Sequence, residues 1–182
     1  MTERCICCGE EIPEGRQVCP SCESGNIKDS GNRREFSSGA VRDIQEGKGR
    51  CDLLPLDVVE EMLGSGIFQC IADFQETGNV NALYAALDKF SDMEYCLVGK
   101  SHAQCNADMF LEVSKHFEEG AKKYGEYNWQ KGIPVNCYID SAVRHYLKWL
   151  RGDKDEPHDR AFVWNILCCI WTVKHSCELE QK

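Results

Sequence analysis

The chain has 182 residues, 42% of them hydrophobic and four of them tryptophan, which is enough for one globular domain with a small appendage and excludes a wholly disordered chain. Its formal charge of −9 argues against duplex DNA or an anionic membrane surface as partner, because both require a basic face. No run approaches the ~20 apolar residues of a membrane span, and MTERCICCGEE has no apolar export-signal stretch, so a cytoplasmic protein is expected.

The first element is built from cysteine. There are 13 cysteines, an odd number, and without an export signal they read as metal ligands or free thiols rather than a disulfide framework. In CICCGEEIPEGRQVCPSC, Cys5 pairs with Cys8 and Cys19 with Cys22, each pair spaced by two residues. Two such knuckles place four thiolates around one Zn²⁺, a closed structural site with no position left for catalysis. Residues 1–22 are therefore expected to be a zinc ribbon with a hairpin between the pairs, folded by its metal. Cys7 lies inside the first knuckle and offers an alternative register. Most of the other eight cysteines sit in apolar neighbourhoods and read as small buried hydrophobes.

Residues 23–38, rich in Ser, Gly, Asn and charge, read as a linker, leaving 39–177 as the main domain. That domain opens with GAVRDIQEGKGRCDLLP. Arg42, Lys48 and Arg50 are spread along a loop with Gly47 and Gly49, where backbone can approach a ligand and cations can meet phosphate oxygens. It lacks the Gly-Lys-Ser/Thr ending of a Walker A loop, and a solvated basic loop is an equal reading.

The remainder is helical by pattern, and an all-α body is expected. A helix starts at Leu56 and Asp57, with Val58, Val59, Met62 and Leu63 as its apolar positions. Ile67, Phe68, Ile71 and Phe74 mark a second helix. Val80, Leu83, Tyr84, Leu87 and Phe90 mark a third, with Asn79 as N-cap. A fourth runs from about Ala107 to Lys123 over Phe110, Val113 and Phe117. The fifth is capped by Asn136, packs Ile139, Val143, Tyr146, Leu147 and Leu150 inward and stops at Gly152. The last is apolar almost all round from Phe162 to Trp171, which places it in the middle of a bundle or at a homo-oligomer interface.

The elbow HFEEGAKKYGEYNWQKGIP, residues 116–134, concentrates the polar chemistry. Glu118 and Glu119 end one helix; Asp140, Arg144 and Lys148 share a face of the next. Antiparallel packing of these helices would bring Glu118 to Asp140, a carboxylate pair fit for Mg²⁺. Seven Lys and Arg against four Asp and Glu between residues 115 and 151 make this region locally positive and favour an anionic ligand. Lys122, Lys123, Arg144, His145 and Lys148 are candidate ligand contacts; Tyr124 and Trp129 could stack on a base or pack the turn, and Asn128 and Asn165 could read a ligand or bond within the core. His158 is open to metal ligation with His145 or to a capping role, and His102, His116 and His175 carry no signal.

FSSGAVRDIQEGKGRCDLLP, FEEGAKKYGEYNWQKGIP, DSAVRHYLKWLRG and HDRAFVWN resemble, in this order, the N-terminal domain of the phage and bacterial dATP/dGTP diphosphohydrolases, over about residues 36–171 with a helical insertion around 64–105. The resemblance implies a mainly α, bundle-like body acting on purine dNTPs in a bacterial or phage-infected cell, giving dNMP and pyrophosphate. It implies a catalytic set of Glu118, Glu119 and Asp140 with Mg²⁺ on Glu118 and Asp140. It implies substrate contacts from Arg42, Lys48, Arg50, Lys122, Lys123, Tyr124, Asn128, Trp129, Arg144, His145, Lys148 and Asn165. The related MazG pattern of Glu-Glu-x-x-Glu and Glu-x-x-Asp is met only in part, since Lys122 follows the glutamates and Val143 follows Asp140. The alternative is a non-catalytic nucleotide-binding module whose ribbon docks a partner.

Overall fold

A computed structural model describes residues 2–4, 11–13, 33–96 and 99–176. The four zinc-ligand candidates, Cys5, Cys8, Cys19 and Cys22, lie outside these residues, as does Cys7. Near them, β1 (Thr2–Arg4) pairs antiparallel with β2 (Glu11–Pro13), Glu3 opposite Ile12. The rest of the hairpin expected between the cysteine pairs lies outside the described residues.

The main body is mainly helical. Six α-helices follow in order among the described residues: α1 (Leu56–Leu63), α2 (Ile67–Thr77), α3 (Val80–Glu94), α4 (His102–Tyr124), α5 (Val135–Arg151) and α6 (His158–Lys174). None is long and apolar enough to cross a membrane. The body is not all-α, however. Residues 33–35, read as linker, form β3 (Arg33–Glu35), which pairs antiparallel with β4 (Val41–Asp43), Arg34 opposite Arg42. The turn closes through Phe36 N–H to Ala40 O (2.9 Å) and Gly39 N–H to Phe36 O (2.8 Å). The strands are only three residues long and lack an alternating apolar pattern, so periodicity could not reveal them.

α6 is the axis of the bundle. Ala161, Phe162, Val163, Ile166, Cys168, Cys169 and Ile170 are buried, and α3, α4 and α5 all pack on it. Much of its apolar surface packs within the chain, so the all-round pattern fits a central helix, with Trp164, Leu167, Trp171 and Val173 only partly buried. Edge-on aromatic packing fills the core: Phe68 on Tyr146 (5.2 Å between centroids) and Phe90 against Phe162 (4.7 Å).

Helix boundaries follow local chemistry. Asn79 caps α3 as expected, accepting from Asn81 N–H at 3.0 Å. α4 begins five residues before the expected Ala107, because Ser101 and Gln104 form a reciprocal capping box. α5 starts at Val135, directly after Pro134, so Asn136 lies inside the first turn and is not its cap. Six expected apolar positions are exposed: Met62 (89%), Val58 (55%), Phe110 (48%), Leu150 (41%), Tyr84 (40%) and Leu63 (38%).

α1 buries Glu60 instead. Its carboxylate accepts from Phe68 N–H (2.8 Å), Gly66 N–H and the Ser65 hydroxyl, satisfying the orphan donors at the start of α2. Glu60→Ala is expected to cost about 1–3 kcal/mol, the loss of a charged acceptor from buried donors. Urea denaturation checks it; an unchanged midpoint would show that water replaces the carboxylate at no cost.

Cys96 and Cys105 form a disulfide, with Cα atoms 5.1 Å apart, which corrects the reading of both as thiols. The bond ties the chain just after α3 to the first turn of α4. Cys51, Cys70, Cys137, Cys168 and Cys169 are free thiols.

Candidate functional site

The hairpin β3–β4 lies against the elbow between α4 and α5, and Asn128 makes the joint. Val41 N–H donates to Asn128 Oδ1 (2.9 Å) and Asn128 Nδ2 donates to Val41 O (2.7 Å), so one side chain acts as a third strand toward β4. The elbow itself turns at Gly125, whose φ of 87° is open to glycine alone among common residues, and at Tyr127, a tyrosine held at φ 56°. A short 3₁₀ turn (Asn128–Lys131) leads into α5.

Past the hairpin, the chain is fixed to α5 by Asp140. This carboxylate is 2% exposed and accepts from Cys51 N–H (2.6 Å), Gln45 Nε2 (3.1 Å) and Arg144. Arg144 also donates from Nε to Lys48 O (3.2 Å). The cationic loop is thereby folded over the elbow, and the two enclose a cavity of about 450 Å³. That is within the roughly 300–1,000 Å³ of small-molecule sites.

Arg34, Arg42, Lys48, Arg144 and Lys148 face this cavity, against Asp43, Asp140 and Glu156. Three of the cations meet carboxylates: Lys48 with Asp43 (2.5 Å), Arg144 with Asp140, and Lys148 near Glu156 (4.0 Å). Of the hairpin's arginines, the two that face the cavity, Arg34 and Arg42, bond neutral groups among the described residues. Arg42 Nη2 donates to Asn165 Oδ1 (2.7 Å) and Ser141 Oγ (3.2 Å), with its guanidinium over the rings of Tyr138 and Trp164. Arg34 donates to Gln45 Oε1 (2.9 Å) and lies 3.1 Å from Cys137 Sγ. Burial pushes the Arg42 guanidinium below its ordinary value. Four buried polar atoms on lining residues have no hydrogen-bond partner among the described residues: Arg34 Nε, Arg42 Nη1, His116 Nδ1 and Trp164 Nε1. Buried donors without acceptors are costly, and here they surround a space an anion can enter. Tyr124, Tyr127, Trp129 and Trp164 supply aromatic walls.

Residues 94–182 match the family dATP/dGTP diphosphohydrolase, N-terminal. No curated protein and no solved structure matches the chain. The match to the diphosphohydrolase N-terminal family covers α4, the elbow, α5 and α6. It does not reach the hairpin and loop that bring Arg34, Arg42 and Lys48, although the resemblance read from the sequence began near residue 36.

Ten of the expected site residues line the cavity: Arg42, Lys48, Tyr124, Asn128, Trp129, Asp140, Arg144, His145, Lys148 and Asn165. Several do structural work there. Asn128 spends its amide on Val41, and Asn165 accepts from Arg42 while donating to Ala161 O (2.7 Å). Trp129 packs edge-on against Trp171 (5.0 Å) and Phe117 (5.7 Å).

The other expected residues are elsewhere. Arg50 clasps Asp52 (2.7 and 2.5 Å) on the exposed side of its loop. Glu119, Lys122 and Lys123 do not line the cavity, and Lys122 pairs with Glu118 on the surface of α4 at 2.5 Å. Glu118 is 66% exposed and lies outside the cavity lining, whereas Asp140 lines the cavity and is wrapped by three donors, so the expected antiparallel meeting of the two carboxylates is not seen. The physical reason is packing: α4 lies chiefly on α6 and not along α5.

Sequence reasoning missed Arg34, Gln45, His116, Ser141, Glu156 and Trp164. Arg34 was lost in the linker, and His116 gave no sign because its setting comes from α6. The His116 ring stands 5.7 Å from Trp164 and is 7% exposed. Burial first, then Arg160, Lys123 and Arg42, push it down to about 3. The unfolded chain binds this proton below an ordinary value of about 6.5; the folded chain refuses it. Stability is therefore expected to fall as pH drops from about 7 to 5, and less steeply in His116→Gln. Melting temperatures across that range check it; parallel profiles would contradict the assignment. His145, pushed well below its ordinary value by burial and by His158, acts in the same direction.

Proposed function

We propose that the cavity binds a purine deoxynucleoside triphosphate and that the protein hydrolyses dATP or dGTP to dNMP and pyrophosphate. The observation that carries this reading is Arg42: half-buried, without a carboxylate partner among the described residues, and with its buried Nη1 unsatisfied beside the cavity. A guanidinium held in this way is suited to a polyanion. Lys48, Arg144 and Lys148 extend the cationic wall along the length of a phosphate chain, and the elbow tyrosines offer ring faces to a base. The family match over α4–α6 supplies the substrate class.

The carboxylates expected to hold Mg²⁺ do not fit that role, and no step is derived through them. A second reading, a nucleotide-binding module without turnover, is favoured by that same divergence of Glu118 from Asp140. The N-terminal Cys5, Cys8, Cys19 and Cys22 are proposed as a structural Zn²⁺ site; under the second reading the ribbon docks a partner.

Incubating the purified full chain with each dNTP and added Mg²⁺ or Mn²⁺, then resolving dNMP and pyrophosphate, tests the proposal. Release from dATP or dGTP is expected. Binding without release would leave the second reading, and absence of binding would remove both.

A further inference from the structure

The loop between α5 and α6 turns the chain back so that His158, the first residue of α6, faces His145 near the end of α5. Their Nδ1 atoms stand 3.0 Å apart. Glu156 Oε1 lies 3.6 Å from each of them. All three side chains are withdrawn from solvent, being 15%, 1% and 11% exposed for His145, His158 and Glu156. The other ring nitrogen of His158 meets Asp155 Oδ1 at 2.8 Å.

These distances have a simple interpretation. Ligand atoms about 2.0–2.1 Å from one tetrahedral ion lie about 3.3 Å from each other. The triangle of 3.0, 3.6 and 3.6 Å brackets that value, so closing on an ion needs shifts of a few tenths of an ångström. Asp155 completes the pattern: a ligating imidazole normally gives its second N–H to a carboxylate, which leaves the facing nitrogen as a lone pair.

We propose that His145, Glu156 and His158 form a binding site for a divalent first-row transition-metal ion, with Asp155 orienting His158. Two imidazole nitrogens and one carboxylate favour Zn²⁺, Mn²⁺, Fe²⁺ or Co²⁺ over Mg²⁺. His145 and Glu156 also line the cavity, so an ion held by them adjoins whatever the cavity holds. Lys148, 3.3 Å from Asp155 and 4.0 Å from Glu156, balances the carboxylates. A metal-free hydrogen bond between the two imidazoles would account for their approach, but it gives no reason for Glu156 to cap both nitrogens. Asp153, Asp155 and His158 also cluster. There, Asp153 is engaged by Arg151, and Asp155 by Lys148 and His158. Metal binding here does not depend on the nucleotide; its use in phosphoryl chemistry rests on the function proposed above.

Cobalt titration of the full chain tests the proposal. Thiolate-bound Co²⁺ shows a sulfur-to-metal charge-transfer band that a histidine and carboxylate site lacks, so N-terminal cysteines do not obscure it. The wild type is expected to gain ligand-field absorption beyond what accompanies any thiolate band from Cys5, Cys8, Cys19 and Cys22, and the variants isolate that part. His145→Ala, His158→Ala and Glu156→Gln should each weaken it about tenfold or more, and Asp155→Asn by about 10- to 100-fold. Asp153→Asn should leave it unchanged. Circular dichroism confirms that each variant is folded, and the near-isosteric Glu156→Gln keeps the test open should an alanine variant unfold. Absence of such absorption, equal uptake by wild type and folded variants, or loss in Asp153→Asn alone would overturn the assignment. Nucleotide binding is measured in the same samples before cobalt is added. Cobalt uptake without nucleotide binding sinks only the proposed function; nucleotide binding without cobalt uptake sinks only the metal site.

Discussion

Arg42→Ala is expected to weaken purine dNTP binding by about 10- to 100-fold, the equivalent of one charge-assisted hydrogen bond lost from a partly desolvated site at about 1.5–3 kcal/mol. Isothermal titration of the full chain reads this directly. The side chain is pre-positioned by Asn165 and Ser141 and lies across the faces of Tyr138 and Trp164, so little conformational freedom is lost when an anion arrives. Arg42→Lys keeps the charge but not the planar fork, and an ammonium cannot hold Asn165, Ser141 and a phosphate together. Part of the loss should therefore remain in Arg42→Lys. Full affinity in the lysine variant would reduce Arg42 to a point charge; full affinity in both variants would place the ligand elsewhere.

The second large effect belongs to Asp140. Asp140→Ala is expected to destabilise the fold by about 3–5 kcal/mol, because removing one member of a buried ion pair strands the other. Arg144, only 15% exposed, would lose its carboxylate, while Cys51 N–H and the Gln45 amide would lose their acceptor. The cationic loop would also come loose from α5, so nucleotide affinity should fall together with the urea midpoint. Glu118→Gln is the contrasting substitution. Its partner Lys122 is exposed on the outer face of α4, and neither stability nor turnover should change measurably. If Glu118→Gln abolished turnover while Asp140→Ala left the fold intact, the roles assigned to these carboxylates would have to be exchanged.

These two substitutions show where sequence reasoning succeeds and where it fails. The elbow stood out because glycines, aromatics and opposed charges are crowded into nineteen residues, and the cavity does form there. Asp140 stands out in the sequence as a candidate catalytic and Mg²⁺-binding carboxylate; the structure shows it tying the cationic loop to α5. A carboxylate that binds metal and one that ties down a loop have the same one-letter code. They differ in the donors that reach them, and two of Asp140's three come from residues about ninety positions earlier. Glu118 failed for another reason. Helical periodicity tells which residues share a face but not which helix that face will meet.

The sequence alone determined the helical body, the N-cap of α3, the all-round apolar character of α6 and the local excess of cations, because these depend on spacings within one element. Only the tertiary structure decided the packing of α3, α4 and α5 on α6, the β3–β4 hairpin over the elbow, the half-buried placement of Arg34 and Arg42 among neutral partners, and the convergence of His145, Glu156 and His158. Each of these joins segments distant in the chain or on opposite sides of a turn. Their meeting is fixed by packing and by the satisfaction of buried polar groups, which no periodicity encodes.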